Sequence, residues 1–257
     1  MDRLTVIVPC YNEAERLDGA AFVAYVDERP DMSLIFVDDG SKDATASVLA
    51  ELAARRPDAI HVLSLRRNSG KAEAVRQGML HALAANADIV GYLDADLSTP
   101  TSEMPRLVAA VERAGVQVAI GARVALLGND IHRSPVRHYL GRVFASGASM
   151  ILRARIYDTQ CGAKLFRATP AVSAALAEPF LSRWAFDVEF LGRLLAGTPS
   201  VPALPLDAIV EVPLAVWHDV KGSKLGAVAM VRTLKDLAMI AADLAARRRA
   251  VHSGRQS

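Results

Sequence analysis

One short pattern in this chain has the residue types and spacing to hold a divalent cation: Tyr92-Leu93-Asp94-Ala95-Asp96. A hydrophobic run delivers two carboxylates at positions i and i+2, which extended backbone projects to the same side. Side by side they repel, so ionising both is costly unless a cation joins them. Mg²⁺ or Mn²⁺ takes hard oxygen ligands from one or two carboxylates and completes its shell with substrate phosphates. A turn acid or a helix N-cap is the plainer reading of Asp-x-Asp, and the motif alone does not choose between them. Three further polar clusters follow apolar runs: Pro9-Cys10-Tyr11-Asn12-Glu13, Asp38-Asp39-Gly40-Ser41, and Arg66-Arg67-Asn68-Ser69-Gly70-Lys71. Any one of them is ordinary turn chemistry. Four on successive strand ends point to one shared rim.

The elements that must carry this rim are legible in the pattern. Short β-branched runs at Thr5-Val8, Leu34-Val37, His61-Leu65, Ile89-Leu93 and Val116-Ile120 read as buried parallel strands. Ala-rich segments with helical spacing lie between them, at Ala14-Glu28, Lys42-Arg55, Lys71-Asn86 and Ser102-Arg113. This alternation predicts an α/β fold: a Rossmann-like, doubly wound, mostly parallel sheet with flanking helices. Ligands of such sheets bind beyond the carboxyl ends of the strands, where the four clusters lie. The second half is less regular. A loop is expected over Leu126-Pro135, a helix over Arg137-Leu152, and a strand within Tyr157-Arg167. A helix over Arg183-Leu195 and one strand over Ile209-Trp217 follow. A polar loop over His218-Ser223 leads to a long amphipathic helix over Leu225-Arg249. Its expected apolar side is Val231, Leu234, Ala238 and Ala241. Residues 1–225 read as the catalytic unit, and residues 226–257 as a C-terminal helix and basic tail.

Composition narrows the function classes. The 257 residues carry 30 Lys+Arg against 28 Asp+Glu, a net charge of +2, which lacks the basic excess of a nucleic-acid-binding face. Cys10 and Cys161 are too few for a disulfide framework or a four-thiolate zinc site, so a reducing, cytoplasmic setting is expected. The longest run without Asp, Glu, Lys or Arg, Leu194-Leu206, is interrupted by three prolines and is shorter than a membrane span. The N-terminus shows no signal-peptide apolar region. Any membrane contact is therefore expected to be peripheral. No G-x-G-x-x-G follows Val8, and neither a G-x-x-x-x-G-K-[ST] phosphate loop nor a G-x-S-x-G elbow is present.

The motif set Val6-Ile7-Val8-Pro9-Cys10-Tyr11-Asn12-Glu13, Val37-Asp38-Asp39-Gly40-Ser41, Asn68-Ser69-Gly70-Lys71 and Leu93-Asp94-Ala95-Asp96 resembles family 2 glycosyltransferases of the GT-A fold. The segments Asp158-Phe166, Arg183-Glu189 and Trp217-Leu225 resemble the polyprenyl- and dolichyl-phosphate sugar synthases within that family. The glucosyltransferase branch is the nearer match and the mannosyltransferase branch a close second. The resemblance implies transfer of one hexose, from UDP-glucose, onto polyprenyl phosphate with inversion. It implies Asp94 and Asp96 as ligands of Mg²⁺ or Mn²⁺. It implies Pro9, Tyr11, Glu13 and Asp38 around the base and ribose of the nucleotide-sugar donor. Lys71 would bind the donor, Lys221 and Lys224 would close over its diphosphate, and Asp39 would support the neighbouring loop. Arg123 and Arg137 would hold the acceptor phosphate, with Gln160 and Asp187 beside it.

Two departures sharpen the expectation. The Gln-x-x-Arg-Trp motif of processive synthases is absent, which favours single transfer. The membrane anchor of eukaryotic relatives has no counterpart in this sequence, and Arg247-Arg248-Arg249 at the end of the last helix is the alternative membrane contact. A GDP-mannose donor and a soluble acceptor stay open. A nucleotidyltransferase would want a Gly-rich, basic first loop where this chain has Pro-Cys-Tyr-Asn-Glu.

Overall fold

The computed structural model describes residues 2–132, 135–218 and 227–254, excepting the side chains of 132–140, 227–234 and 254. Nine strands and eight helices are found among them: β1 (Leu4–Cys10), α1 (Gly19–Glu28), β2 (Met32–Asp38), α2 (Thr45–Arg55), β3 (Ile60–Ser64), α3 (Lys71–Ala84), β4 (Ile89–Leu93), α4 (Met104–Val111), β5 (Val118–Ala122), β6 (Asp130–His132), α5 (Pro135–Leu152), β7 (Ala163–Arg167), α6 (Pro170–Leu176), α7 (Phe186–Ala196), β8 (Ile209–Pro213), β9 (Val216–His218) and α8 (Ala227–Gly254). Seven strands form one sheet in the order β3-β2-β1-β4-β7-β5-β8. All pairs are parallel except those of β7, which runs antiparallel to both β4 and β5.

Burial explains the strands. On β1 the side chains of Val6 and Val8 enter one core layer and Ile7 the other, as a period of two requires. One layer lies beneath α1, α2 and α4, and the other beneath α3 and α5 to α8. Gly91 in the middle of β4 opposes Leu165 on β7. A Cβ there would stand 2.2 Å from the Lys164 carbonyl oxygen, so only glycine lets these two strands approach this closely. The chain runs from β1 outward to β3, then returns to place β4 on the other side of β1. The crevice between the carboxyl ends of β1 and β4 is thus the topological switch point, where ligands of such sheets bind.

Several elements differ from the sequence reading. The first helix starts at Gly19, not Ala14, because Asp18 caps it by accepting from the Ala21 N–H at 3.0 Å. The stretch expected as one strand at Ile209-Trp217 is two, β8 in the main sheet and β9 paired with β6 in a separate two-stranded ribbon. β6 lies where only loop was expected. The buried stripe of α8 is Leu237, Ile240 and Leu244, and Ala238 is exposed. Val231 and Leu234 have side chains outside the described set. The basic end of α8 also folds onto the domain. Arg247 pairs with Asp243 at 2.7 Å and with Glu178, and Arg248 donates to the Ile151 and Leu152 carbonyls that end α5.

Candidate active site

The first two strand-end loops are laced together. The Asn12 and Glu13 amides donate to Ser41 Oγ (3.0 Å) and Thr45 Oγ1 (2.8 Å), and the Lys42 amide donates to Asn12 Oδ1 (2.9 Å). Asn12 adopts a left-handed φ of 55°, which Asn tolerates better than most residues. Pro9 is the penultimate residue of β1 and Tyr11 and Glu13 lie just past its end, with Tyr11 exposed and Pro9 and Glu13 half-buried. Asp38 is buried and accepts from the Ser41 amide at 2.9 Å. Asp39, also buried, accepts from the Ser69 and Gly70 amides, both at 2.7 Å. It fastens the third loop to the second, the supporting role the resemblance implied.

Asp94 follows the last residue of β4, and Asp96 lies in the turn beyond it. Asp94 Oδ1 lies 2.5 Å from the ammonium of Lys71, the first residue of α3. The other carboxylate oxygen rests over Gly162, where a Cβ would stand only 2.2 Å away. Asp96 Oδ1 accepts from the Ser98 amide at 3.0 Å, in a turn whose Leu97 is held at a left-handed φ of 50°. That conformation is strained for a bulky residue, and such strain is concentrated at functional sites. Burial pushes the Glu13 carboxyl above its usual range; Arg16 opposes this, and the charges of Asp96 and Asp43 add to it. Glu13 Oε2 is buried without a hydrogen-bond partner. Desolvation pulls the Lys71 ammonium down, but Asp94, Asp187 and Asp96 more than offset it and leave its pKa raised. Among the described residues no cluster of three or more acidic, His or Cys side chains forms a closed metal cage. Two carboxylates opening on a rim fit Mg²⁺ or Mn²⁺, which bind through few protein oxygens and share the rest with substrate.

Behind Asp94 lies a buried ionic cluster. Lys164 of β7 is 1% exposed, pairs with Asp187 Oδ1 at 2.6 Å and donates to the Cys161 carbonyl at 2.6 Å. The Tyr92 hydroxyl donates to the same Asp187 oxygen, and Gln160 Nε2 lies 3.4 Å from the other. Burial first, then Asp187, hold the Tyr92 hydroxyl well above its ordinary pKa. The structure thus brings Asp187 and Gln160 together, but turns Asp187 inward, onto Lys164 and Tyr92.

Arg123 follows β5 on the same rim. Its guanidinium forks onto Asp158, with Nε and Nη2 each 2.7 Å from a carboxylate oxygen, and its own amide adds a bond of 3.0 Å. It also lies over the Trp217 ring, 5.3 Å from the centroid. Desolvation lowers its pKa, and Asp158 reverses that and holds it fully protonated. Arg137 lies in the first turn of α5, with its side chain outside the described set, and Lys221 and Lys224 lie outside the described residues altogether. Cys10 is buried, and its thiol is pushed above its usual pKa by burial, with Glu13 and Asp38 adding, a setting that disfavours the thiolate.

The seven-stranded sheet with one reversed central strand is the GT-A fold. The fold matches glucosyl-3-phosphoglycerate synthase of Mycobacterium tuberculosis, solved in complex with Mn²⁺, uridine diphosphate and phosphoglyceric acid, with a TM-score of 0.69 over 93% of this chain and 78% of that one, at 18% identity. The model of glycosyl transferase family 2 matches residues 5–173, and the chain belongs to that family. A dolichyl-phosphate beta-glucosyltransferase of Drosophila melanogaster is 35% identical over 86% of this chain and 69% of its own length. One from Trichomonas vaginalis is 31% identical over 92% and 70%. A polyprenol monophosphomannose synthase of Mycolicibacterium smegmatis is 29% identical over 79% and 76%.

Tyr92, Asp158, Gly162 and Lys164 stood inside the quoted motifs but were given no individual role by the sequence. The contacts that matter join residues 23 to 95 positions apart.

Proposed function

We propose that this glycosyltransferase moves a single glucose from UDP-glucose to a polyprenyl phosphate with inversion, giving a β-linked lipid phosphosugar. Residues 1–225 form its catalytic unit, and residues 226–257 an appended helix and tail. The observation that carries this reading is a pair of opposite charges on the rim, one strand apart. Asp94, with Lys71, ends β4, Arg123 follows β5, and β7 separates them. One side suits a donor diphosphate bridged through a cation, and the other suits a second anion.

Asp94 and Asp96 would hold Mg²⁺ or Mn²⁺, which supplies Lewis-acid stabilisation of the departing nucleoside diphosphate. Pro9, Tyr11, Glu13 and Asp38 line the nucleoside end, and Lys71 faces the diphosphate. Lys221 and Lys224 are assigned to the same diphosphate on the resemblance alone. The acceptor is already an anion at neutral pH, so no general base is required. An acceptor phosphate oxygen forms the bond to the anomeric carbon as the bond to the donor diphosphate breaks. Arg123, locked by Asp158 and Trp217, presents a pre-oriented cation to that phosphate, and Arg137 is assigned to the same phosphate on the resemblance alone. Pre-orientation matters because two anions must be brought within bonding distance.

Membrane contact in this proposal is peripheral, at the cytosolic leaflet. It is supported by a β-turn beginning three residues past Arg123. The Asn129 amide closes the turn on the Leu126 carbonyl at 3.1 Å, Gly128 takes a φ of 89°, and Leu127 stands fully exposed at the tip. No described helix is long and apolar enough to cross a membrane. A mannosyl donor is the second reading, favoured by the similarity to the polyprenol monophosphomannose synthase. The test is a panel of UDP- and GDP-sugars with a short polyprenyl phosphate and Mg²⁺ or Mn²⁺, read by product mass. A hexosyl-phosphoprenol formed from UDP-glucose is expected. Transfer only to a soluble acceptor would overturn the proposal.

A further inference from the structure

The placement of Lys71 is unusual for a residue whose only task is to meet a donor diphosphate. It is the first residue of α3, where the helix dipole already gathers positive charge and disfavours a lysine. The position is tolerated because the ammonium, 2.5 Å from Asp94 Oδ1, is compensated there. That oxygen has no hydrogen bond from any other described group. The opposite face of the carboxylate is blocked, since its second oxygen sits against Gly162. In that same position the ammonium also lies 5.9 and 6.0 Å from the ring centroids of Tyr92 and Phe186. Lys164 is fixed to Asp187 and the Cys161 carbonyl and cannot take over its role at Asp94.

We propose that Lys71 is a stand-in cation: it neutralises Asp94 while the site is unloaded and must leave that oxygen before a divalent ion binds there. The inference rests on the reading of Asp94 and Asp96 as metal ligands and goes beyond it by making metal and donor interdependent. A metal ion arriving alone must displace an ammonium that then has no anion to receive it. A metal ion arriving with a nucleoside diphosphate gives the displaced ammonium the diphosphate as its new partner. Metal and nucleotide therefore bind synergistically, and by linkage each tightens the other by the same factor. Asp94 is kept paired at every stage, which spares the rim an uncompensated carboxylate.

The test is a Mn²⁺ titration of the full chain followed by the electron paramagnetic resonance signal of the free ion, with and without UDP, in wild type, Lys71→Met and Lys71→Arg. Lys71→Met should bind Mn²⁺ alone about 10-fold more tightly than wild type, ~1.4 kcal/mol. It should bind UDP more weakly and lose most of the UDP-dependent tightening. Lys71→Arg, which keeps the charge, should resemble wild type. Circular dichroism confirms that each variant is folded. The inference is overturned if Lys71→Met leaves Mn²⁺ affinity unchanged or weaker, or if both variants tighten Mn²⁺ equally, which would make the effect one of packing and not of charge. Wild type that binds no Mn²⁺ even with UDP would overturn the metal reading itself, a result distinct from the other two.

Discussion

Replacing Gly162 by alanine tests the geometry of the rim with one methyl group. The backbone at Gly162 is not in the left-handed region, so alanine carries no conformational penalty there. The new Cβ would lie 2.2 Å from Asp94 Oδ2 and 2.4 Å from its Cγ, whereas ordinary contact begins at 3.4 Å. The carboxylate must therefore withdraw by about 1.2 Å. It cannot do so freely, because Lys71 holds the other oxygen and the Asp94 amide is bonded to the Gly162 carbonyl at 3.0 Å. A displacement of about 1 Å in a catalytic group costs on the order of 100-fold in rate, or ~2.7 kcal/mol. The assay is the initial rate of sugar transfer against Mn²⁺ concentration, alongside a thermal melt. Gly162→Ala should lower kcat about 100-fold and raise the Mn²⁺ requirement, with a melting temperature within a few degrees of wild type. A folded variant with wild-type kcat and wild-type metal requirement would refute the placement of Asp94 at the reacting centre.

Three further outcomes are expected. Asp158→Asn removes the charge that orients Arg123, and the loss of about 1.5–3 kcal/mol from a charge-assisted bond should raise the acceptor KM roughly 10-fold or more while leaving the donor KM near wild type; equal change in both would contradict the acceptor assignment. Burial raises the Glu13 carboxyl, so the native state binds that proton more tightly than the unfolded chain, and the resulting stability is present at low pH and lost as pH rises through the raised range. Glu13→Gln should therefore gain stability relative to wild type as the pH rises above the ordinary carboxylate range in thermal melts, and a difference that stays constant with pH would dismiss the burial argument. Leu127→Asp at the exposed turn should reduce co-sedimentation with anionic vesicles, whereas deletion after Ala246 should matter less because Arg247 and Arg248 are engaged with the domain; the reverse order would move the membrane contact to α8.

The first half of the chain was legible because its information is local. β1, β2 and β4 are buried apolar runs of the right length, whereas β3, expected to be buried, is a largely exposed edge strand; each ends in residues that turns and anions both favour. Summing those ends on one rim required only the rule that parallel strands share a direction. The second half was less so, for three physical reasons. β7 reverses direction and inserts between β4 and β5, and its central Lys164 breaks the apolar pattern of a buried strand until its partner Asp187, 23 residues on, is known. Helical periodicity in α8 fixes that a face is buried but not which one. The contacts with α5 and α7 choose Leu237, Ile240 and Leu244. Arg123 was found as a cation by position, yet its setting depends on Asp158, which no spacing rule connects to it. Asp187 was read as orienting a sugar hydroxyl or a basic side chain, and it is buried against the basic side chain of Lys164. Ion pairs between distant segments are where a local reading ends.

The central claim is that Asp94 and Asp96 grip a cation bridging a nucleoside diphosphate at the switch point between β1 and β4. Crystals grown with Mn²⁺ and UDP, measured at a wavelength where manganese scatters anomalously, test it directly. The account predicts a single strong anomalous peak against the Asp94–Asp96 turn, with the diphosphate on it and the Lys71 ammonium moved off Asp94. An anomalous peak elsewhere, or nucleotide bound away from that turn, would contradict it.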